Sequence, residues 1–139
     1  MMKNFILLAS FFACLFISCG EEEPDITGMY TLKSLNKSCS DSSQDLSVVE
    51  GDNVVLGTDV NFSGSMLFTA GGAFEAEYLL EAAFSQEEVF IEGTYIISTE
   101  NFNVCGTNGC LDNPVPTGSQ VTVMVQEGDC LLTLVGEPN

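Results

Sequence analysis

Ala73-Phe74-Glu75-Ala76-Glu77-Tyr78-Leu79-Leu80-Glu81-Ala82-Ala83-Phe84 decides the fold, because two local rules disagree over it. Ala, Glu and Leu are strong helix formers. Yet Phe74, Ala76, Tyr78, Leu80, Ala82 and Phe84 share one side of a strand, opposite Glu75, Glu77 and Glu81. On a helical projection the same apolar residues scatter around the whole circumference and leave no stripe to bury. A period of two marks a strand with one buried face. The segment is therefore predicted to be a strand, entered through a hairpin turn at Ala70-Gly71-Gly72.

The same alternation extends in both directions. Val60, Phe62, Gly64, Met66 and Phe68 fall on one side, as do Val121, Val123 and Val125, and then Cys130, Leu132 and Leu134. Glu127-Gly128-Asp129 joins the last two runs as a hairpin turn. Further strands are expected at Gly28–Leu35, Asn53–Gly57, Val89–Ser98 and Asn101–Cys105, with a weaker one at Leu46–Glu50. Loops are expected at the serine-rich Asn36–Asp45 and at Gly106–Ser119, which holds Pro114 and Pro116. Eight or nine short strands with tight turns make an all-β domain, an up-and-down antiparallel barrel of about eight strands or, alternatively, a sandwich.

Composition excludes several functions. Three lysines and no arginine cannot supply the phosphate contacts that nucleic-acid binding needs. With no histidine there is no Ser-His or Cys-His nucleophile and no His-ligated metal. A carboxylate pair can in principle hydrolyse a glycoside. Among 20 acidic residues, however, some pair lies close by chance, and Trp and Arg are absent. Glu50-Gly51-Asp52-Asn53 and Gly57-Thr58-Asp59 offer hard oxygen ligands, but neither has the spacing of a twelve-residue calcium loop. The expectation is a non-enzyme with no catalytic residues, no metal site and no cofactor.

The N-terminus reads as export machinery. Lys3 precedes an apolar run from Phe5 to Ile17, too short to span a bilayer but the right length for a signal h-region. Leu15-Phe16-Ile17-Ser18-Cys19 resembles a bacterial lipobox, which implies that residues 1–18 are removed and Cys19 is diacylated. Gly20 after the cysteine resembles lipoproteins sorted to the outer membrane. Residues 19–25, with Glu21-Glu22-Glu23-Pro24-Asp25, are either a solvated acidic tether or a signal for surface export, so the anchored domain is exposed at the cell surface or faces the periplasm. Beyond residue 18, Lys33 and Lys37 stand against all 20 carboxylates. Membrane attachment therefore rests on the lipid.

Cys39, Cys105, Cys110 and Cys130 remain for an oxidising compartment, which suggests two disulfides with three possible connectivities. The glycine-bearing Cys105–Cys110 loop can close on itself, leaving Cys39 to reach Cys130. A four-thiolate metal site is the competitor, but its paired Cys-x2-Cys spacing is absent.

Four stretches within residues 26–139 carry a resemblance. Gly28-Met29-Tyr30-Thr31-Leu32, Met66 to Phe74, Glu92-Gly93-Thr94-Tyr95-Ile96-Ile97-Ser98 and Cys130-Leu131-Leu132-Thr133-Leu134 are similar to motifs of small bacterial lipocalin-like lipoproteins. That resemblance implies an eight-stranded barrel with room for an apolar ligand. The aromatic set Phe62, Phe68, Phe74, Tyr78, Phe84, Phe90, Tyr95 and Phe102, with Tyr30, is expected in the core. Phe62, Phe68, Phe74, Tyr78 and Tyr95 are the candidates to touch a small hydrophobic ligand. The expected molecule is a lipid-anchored monomer that binds such a ligand without catalysis. The alternative is a closed-core module for protein or glycan partners.

Overall fold

The computed structural model describes residues 22–139, so the signal segment 1–18, Cys19 and the first residues of the tether lie outside the described residues. Ten strands follow one another: β1 Gly28–Cys39, β2 Leu46–Val49, β3 Gly51–Val55, β4 Thr58–Phe68, β5 Ala73–Ala82, β6 Ser85–Ile97, β7 Phe102–Gly106, β8 Gly109–Asn113, β9 Val121–Glu127 and β10 Cys130–Pro138. Eight of them form the continuous order β8-β7-β6-β5-β4-β1-β10-β9, every pair antiparallel, and curl into a nearly closed barrel rather than a sandwich. Ala73–Ala82 is strand throughout, paired on both edges. Two laddered edges outweigh helix propensity, which is worth only tenths of a kcal/mol per residue.

β1 and β4 are paired at only one end, Gly28↔Phe68 through Thr31↔Ser65. Beyond that they fork, and β2 and β3 enter as a wedge, β2 along β1 and β3 along β4. Asn53 fastens the wedge, donating from Nδ2 to the Val49 carbonyl (2.8 Å) and accepting the Val49 N–H (2.9 Å). Gly64 sits in β4 just past the fork. A Cβ there would lie 2.5 Å from the Glu77 carbonyl oxygen and 2.7 Å from Leu32 Cδ1, so only glycine lets the strands approach so closely.

β8 and β9, the two ends of the path, share no backbone ladder. Asn113 closes the seam instead: its amide accepts the Met124 N–H (2.5 Å) and donates to the Met124 carbonyl (3.2 Å). One side chain thus reproduces both hydrogen bonds of a strand pair. Asn113 is the only buried polar residue among those described, and the closure satisfies it.

Both disulfides form as the spacing suggested, Cys39–Cys130 and Cys105–Cys110. Several expectations need correction. Asn36–Cys39 continues β1 rather than starting a loop, because Cys39 pairs with Cys130 at the top of β10. Gly109–Asn113 is a strand inside the expected Gly106–Ser119 loop; the Cys105–Cys110 staple holds it against β7. The Asn53–Gly57 strand stops at Val55, and Leu56-Gly57 is a turn. Phe84 and Phe90 are not core. Phe84 lies in the β5–β6 turn, fully exposed, and Phe90 points outward on β6, because the inward parity there belongs to Val89, Ile91 and Tyr95.

Candidate functional site

The barrel has two different ends. The end holding Gly28, Phe68 and Ala73 is filled. Phe68 is the hub there: its ring lies edge-on to Tyr30 (5.6 Å) and Tyr95 (5.1 Å) and packs against Phe74 (5.2 Å) and Phe102 (6.3 Å). Tyr95 donates its hydroxyl to the Thr69 carbonyl (2.6 Å), which ties β6 to the β4–β5 turn. Burial first, then the negative charge of Asp25, raises the phenols of Tyr30 and Tyr95 above the ordinary tyrosine value.

The opposite end, where the wedge spreads β1 from β4, is hollow. A cavity of about 390 Å³ opens there, with Leu46, Val55, Val60, Leu80 and Ala82 as its apolar lining. Its rim carries Lys37, Gln44, Asp45, Gln86 and Glu87, together with Leu56. The volume falls within the range of ligand pockets, and several elements converge on it. A larger depression of about 500 Å³ lies elsewhere, but it is lined almost wholly by the single loop 114–120.

Lys37 reaches this rim through a change of parity. The β1–β10 register shifts between Leu32 and Ser34, so inward positions run Tyr30, Leu32 and then Leu35, Lys37, Cys39. Lys37 consequently pairs with buried Leu132. Lys33 stays outside, in an ion pair with Glu50 (2.5 Å). Asp45 is held at the rim by accepting the Cys39 N–H (2.7 Å), just after a short 3-10 turn at Ser42–Gln44 capped by Asp41.

Tyr78 sits one inward position below Leu80, its ring 6.2 Å from Phe62. Burial, reinforced by the carboxylates of Glu87 and Glu127, pushes its phenol up to about 12. It stays protonated at neutral pH and can act as a hydrogen-bond donor.

Of the residues expected to touch a ligand, Phe62, Phe68, Phe74 and Tyr78 are buried within the barrel and Tyr95 is half-buried. None of the five lines the 390 Å³ hollow. Its floor comes from smaller inward residues of the same alternating runs, Val60, Leu80 and Ala82. Lys37 was missed because a bulge reverses its side; the one available signal is the three-residue step from Leu32 to Leu35. The carboxylates of the first acidic stretch have protein partners, Glu50 on Lys33 and Asp52 accepting from Asn61 Nδ2 (2.9 Å). No protein-family model, curated protein or solved structure matches this chain.

Proposed function

We propose that this is a lipid-anchored lipoprotein with a lipocalin-like domain, held to the outer membrane through Cys19, that binds a small hydrophobic molecule without chemical turnover. The observation that supports the binding reading best is the hollow at the forked end: about 390 Å³ with an apolar floor and a polar rim. Burying an apolar chain of a few carbons against Leu46, Val60 and Leu80 gains about 0.8 kcal/mol per methylene.

Native mass spectrometry of oxidised residues 22–139 after periplasmic expression tests this. The expected result is a retained adduct of lipid-like mass that is lost when Ala82→Phe fills the floor. A bare polypeptide mass, or an adduct indifferent to Ala82→Phe, overturns the reading and leaves a module that works through its outer surface. The anchor is tested separately: Cys19→Ser should release the protein from membranes.

A further inference from the structure

Two hairpin turns break the usual turn chemistry, and both stand at the mouth of the hollow. The other tight turns have glycine or polar tips, with Ala70-Gly71-Gly72 joining β4 to β5, Thr107-Asn108 joining β7 to β8 and Gly128-Asp129 joining β9 to β10. Leu56-Gly57, between β3 and β4, has positive φ at both residues, 49° and 78°. That turn favours Asn-Gly, and Leu56 is the only described residue other than glycine with positive φ. Its side chain is 96% exposed. The neighbouring β5–β6 turn is Ala83-Phe84, with Phe84 fully exposed. Ladder register places the two tips at the same end of the sheet, since Asn61 pairs with Glu81 only a few residues from each. Leu56, Ala82 and Ser85 border one hollow.

The geometry points to docking of this mouth on an electrically neutral lipid surface, with Leu56 and Phe84 as two apolar prongs. Two side chains and a rim cover far less than the roughly 1,000 Å² a specific protein interface needs. A bilayer needs no complementary shape, because it closes around each prong. Exposed Asp45, Asp59, Glu81 and Glu87 surround the tips and repel anionic headgroups, which selects a zwitterionic surface. Leu56 itself lines the hollow and Phe84 lies in the turn between its lining residues Ala82 and Ser85, so an apolar phase at the mouth is also the phase its contents would exchange with. The inference rests on the tips and survives if the hollow proves empty.

The chain has no tryptophan, so Phe84→Trp supplies a single reporter. Residues 22–139, which hold the complete ladder of ten strands and the core packed on it, carrying Phe84→Trp are mixed with phosphatidylcholine vesicles bearing brominated acyl chains. The expected result is a blue shift with quenching, weakened when a third of the lipid is phosphatidylglycerol. Adding Leu56→Asn should lower the bound fraction about tenfold, the worth of one buried Leu side chain. The same substitution should raise the denaturation midpoint, because asparagine accepts the positive φ. Loss of docking together with a gain in stability separates a docking role from a structural one. An unchanged spectrum, binding as strong with Leu56→Asn, or stronger binding to the anionic vesicles overturns the proposal. Docking without any retained adduct in mass spectrometry sinks the carrier reading and leaves this one standing.

Discussion

The filled end and the forked end of this barrel are built from the same alternating pattern, yet one is solid and the other open. At the filled end the inward positions are Tyr30, Phe68, Phe74 and Phe102, each nearly or fully buried. At the forked end they are Val55, Val60, Leu80, Ala82 and Lys37, around a hollow of about 390 Å³. An eight-stranded barrel is just wide enough for side chains to fill it. Inward residue size, together with the wedge that widens one end, therefore decides where space remains. Alternation specifies a barrel, and side-chain volume specifies whether it holds anything.

The largest expected difference is covalent and lies between the two bridges, whose turns meet where Gly128 donates its N–H to Asn108 Oδ1 (2.9 Å). Cys39–Cys130 closes a separation of 91 residues at the open end, whereas Cys105–Cys110 closes 5. In the chain-entropy model the first restricts the unfolded state by about 4–5 kcal/mol and the second by about 2 kcal/mol. Denaturant titration of Cys39→Ser/Cys130→Ser against Cys105→Ser/Cys110→Ser should show that ratio. Equal losses would break the idea that the open end depends on its bridge.

Packing gives the next contrast. Phe68→Ala removes the hub of four aromatic contacts and should cost about 3–5 kcal/mol. Leu80→Ala, beside existing space, should cost less than half as much, since little new cavity is created. Urea midpoints at fixed slope measure both. Asn113→Ala addresses the seam between the ends. It leaves the Met124 N–H and carbonyl without partners and should cost about 1–3 kcal/mol, with faster amide exchange confined to β8 and β9.

The smallest effect is on pH dependence. Unfolded Tyr78 titrates near 10 and folded Tyr78 near 12. Between those values the unfolded chain has released a proton that the native chain keeps, so stability is full below pH 10 and falls as pH rises toward 12. Tyr78→Phe should flatten part of that decline, while Tyr30 and Tyr95, also raised, sustain the rest. An identical decline in the variant would mean that Tyr78 is not buried near Glu87 and Glu127.

Much of this architecture is legible in the sequence where one face is dry and the other wet. Phe74 to Ala82 and Val121 to Val125 alternate cleanly, and both ladders form as expected. β8 was hidden because Gly109-Cys110-Leu111-Asp112-Asn113 lacks apolar alternation; a disulfide and one buried amide hold it in place. Lys37 was hidden because a single-residue bulge inverts every side chain beyond it, and only the three-residue step from Leu32 to Leu35 marks the slip in the sequence. Phe90 shows the converse. It is a large aromatic on the outer parity of β6, where register outranks hydrophobicity.

The antiparallel pairing of β1 with β10 also sets how the molecule bears force. Both chain ends leave from the same pole, with Asn139 donating its N–H to the Met29 carbonyl. Tension between them would peel the ladder one pair at a time from Tyr30↔Pro138 upward, a low-resistance geometry. The peel ends at Cys39↔Cys130, where a covalent bond replaces the last pair. Everything between those cysteines is then shielded from load. A motor pulling on either terminus could extract only β1 or β10, each also laddered to a neighbour on its other edge, and would stall against the rest of the barrel until the bridge was reduced.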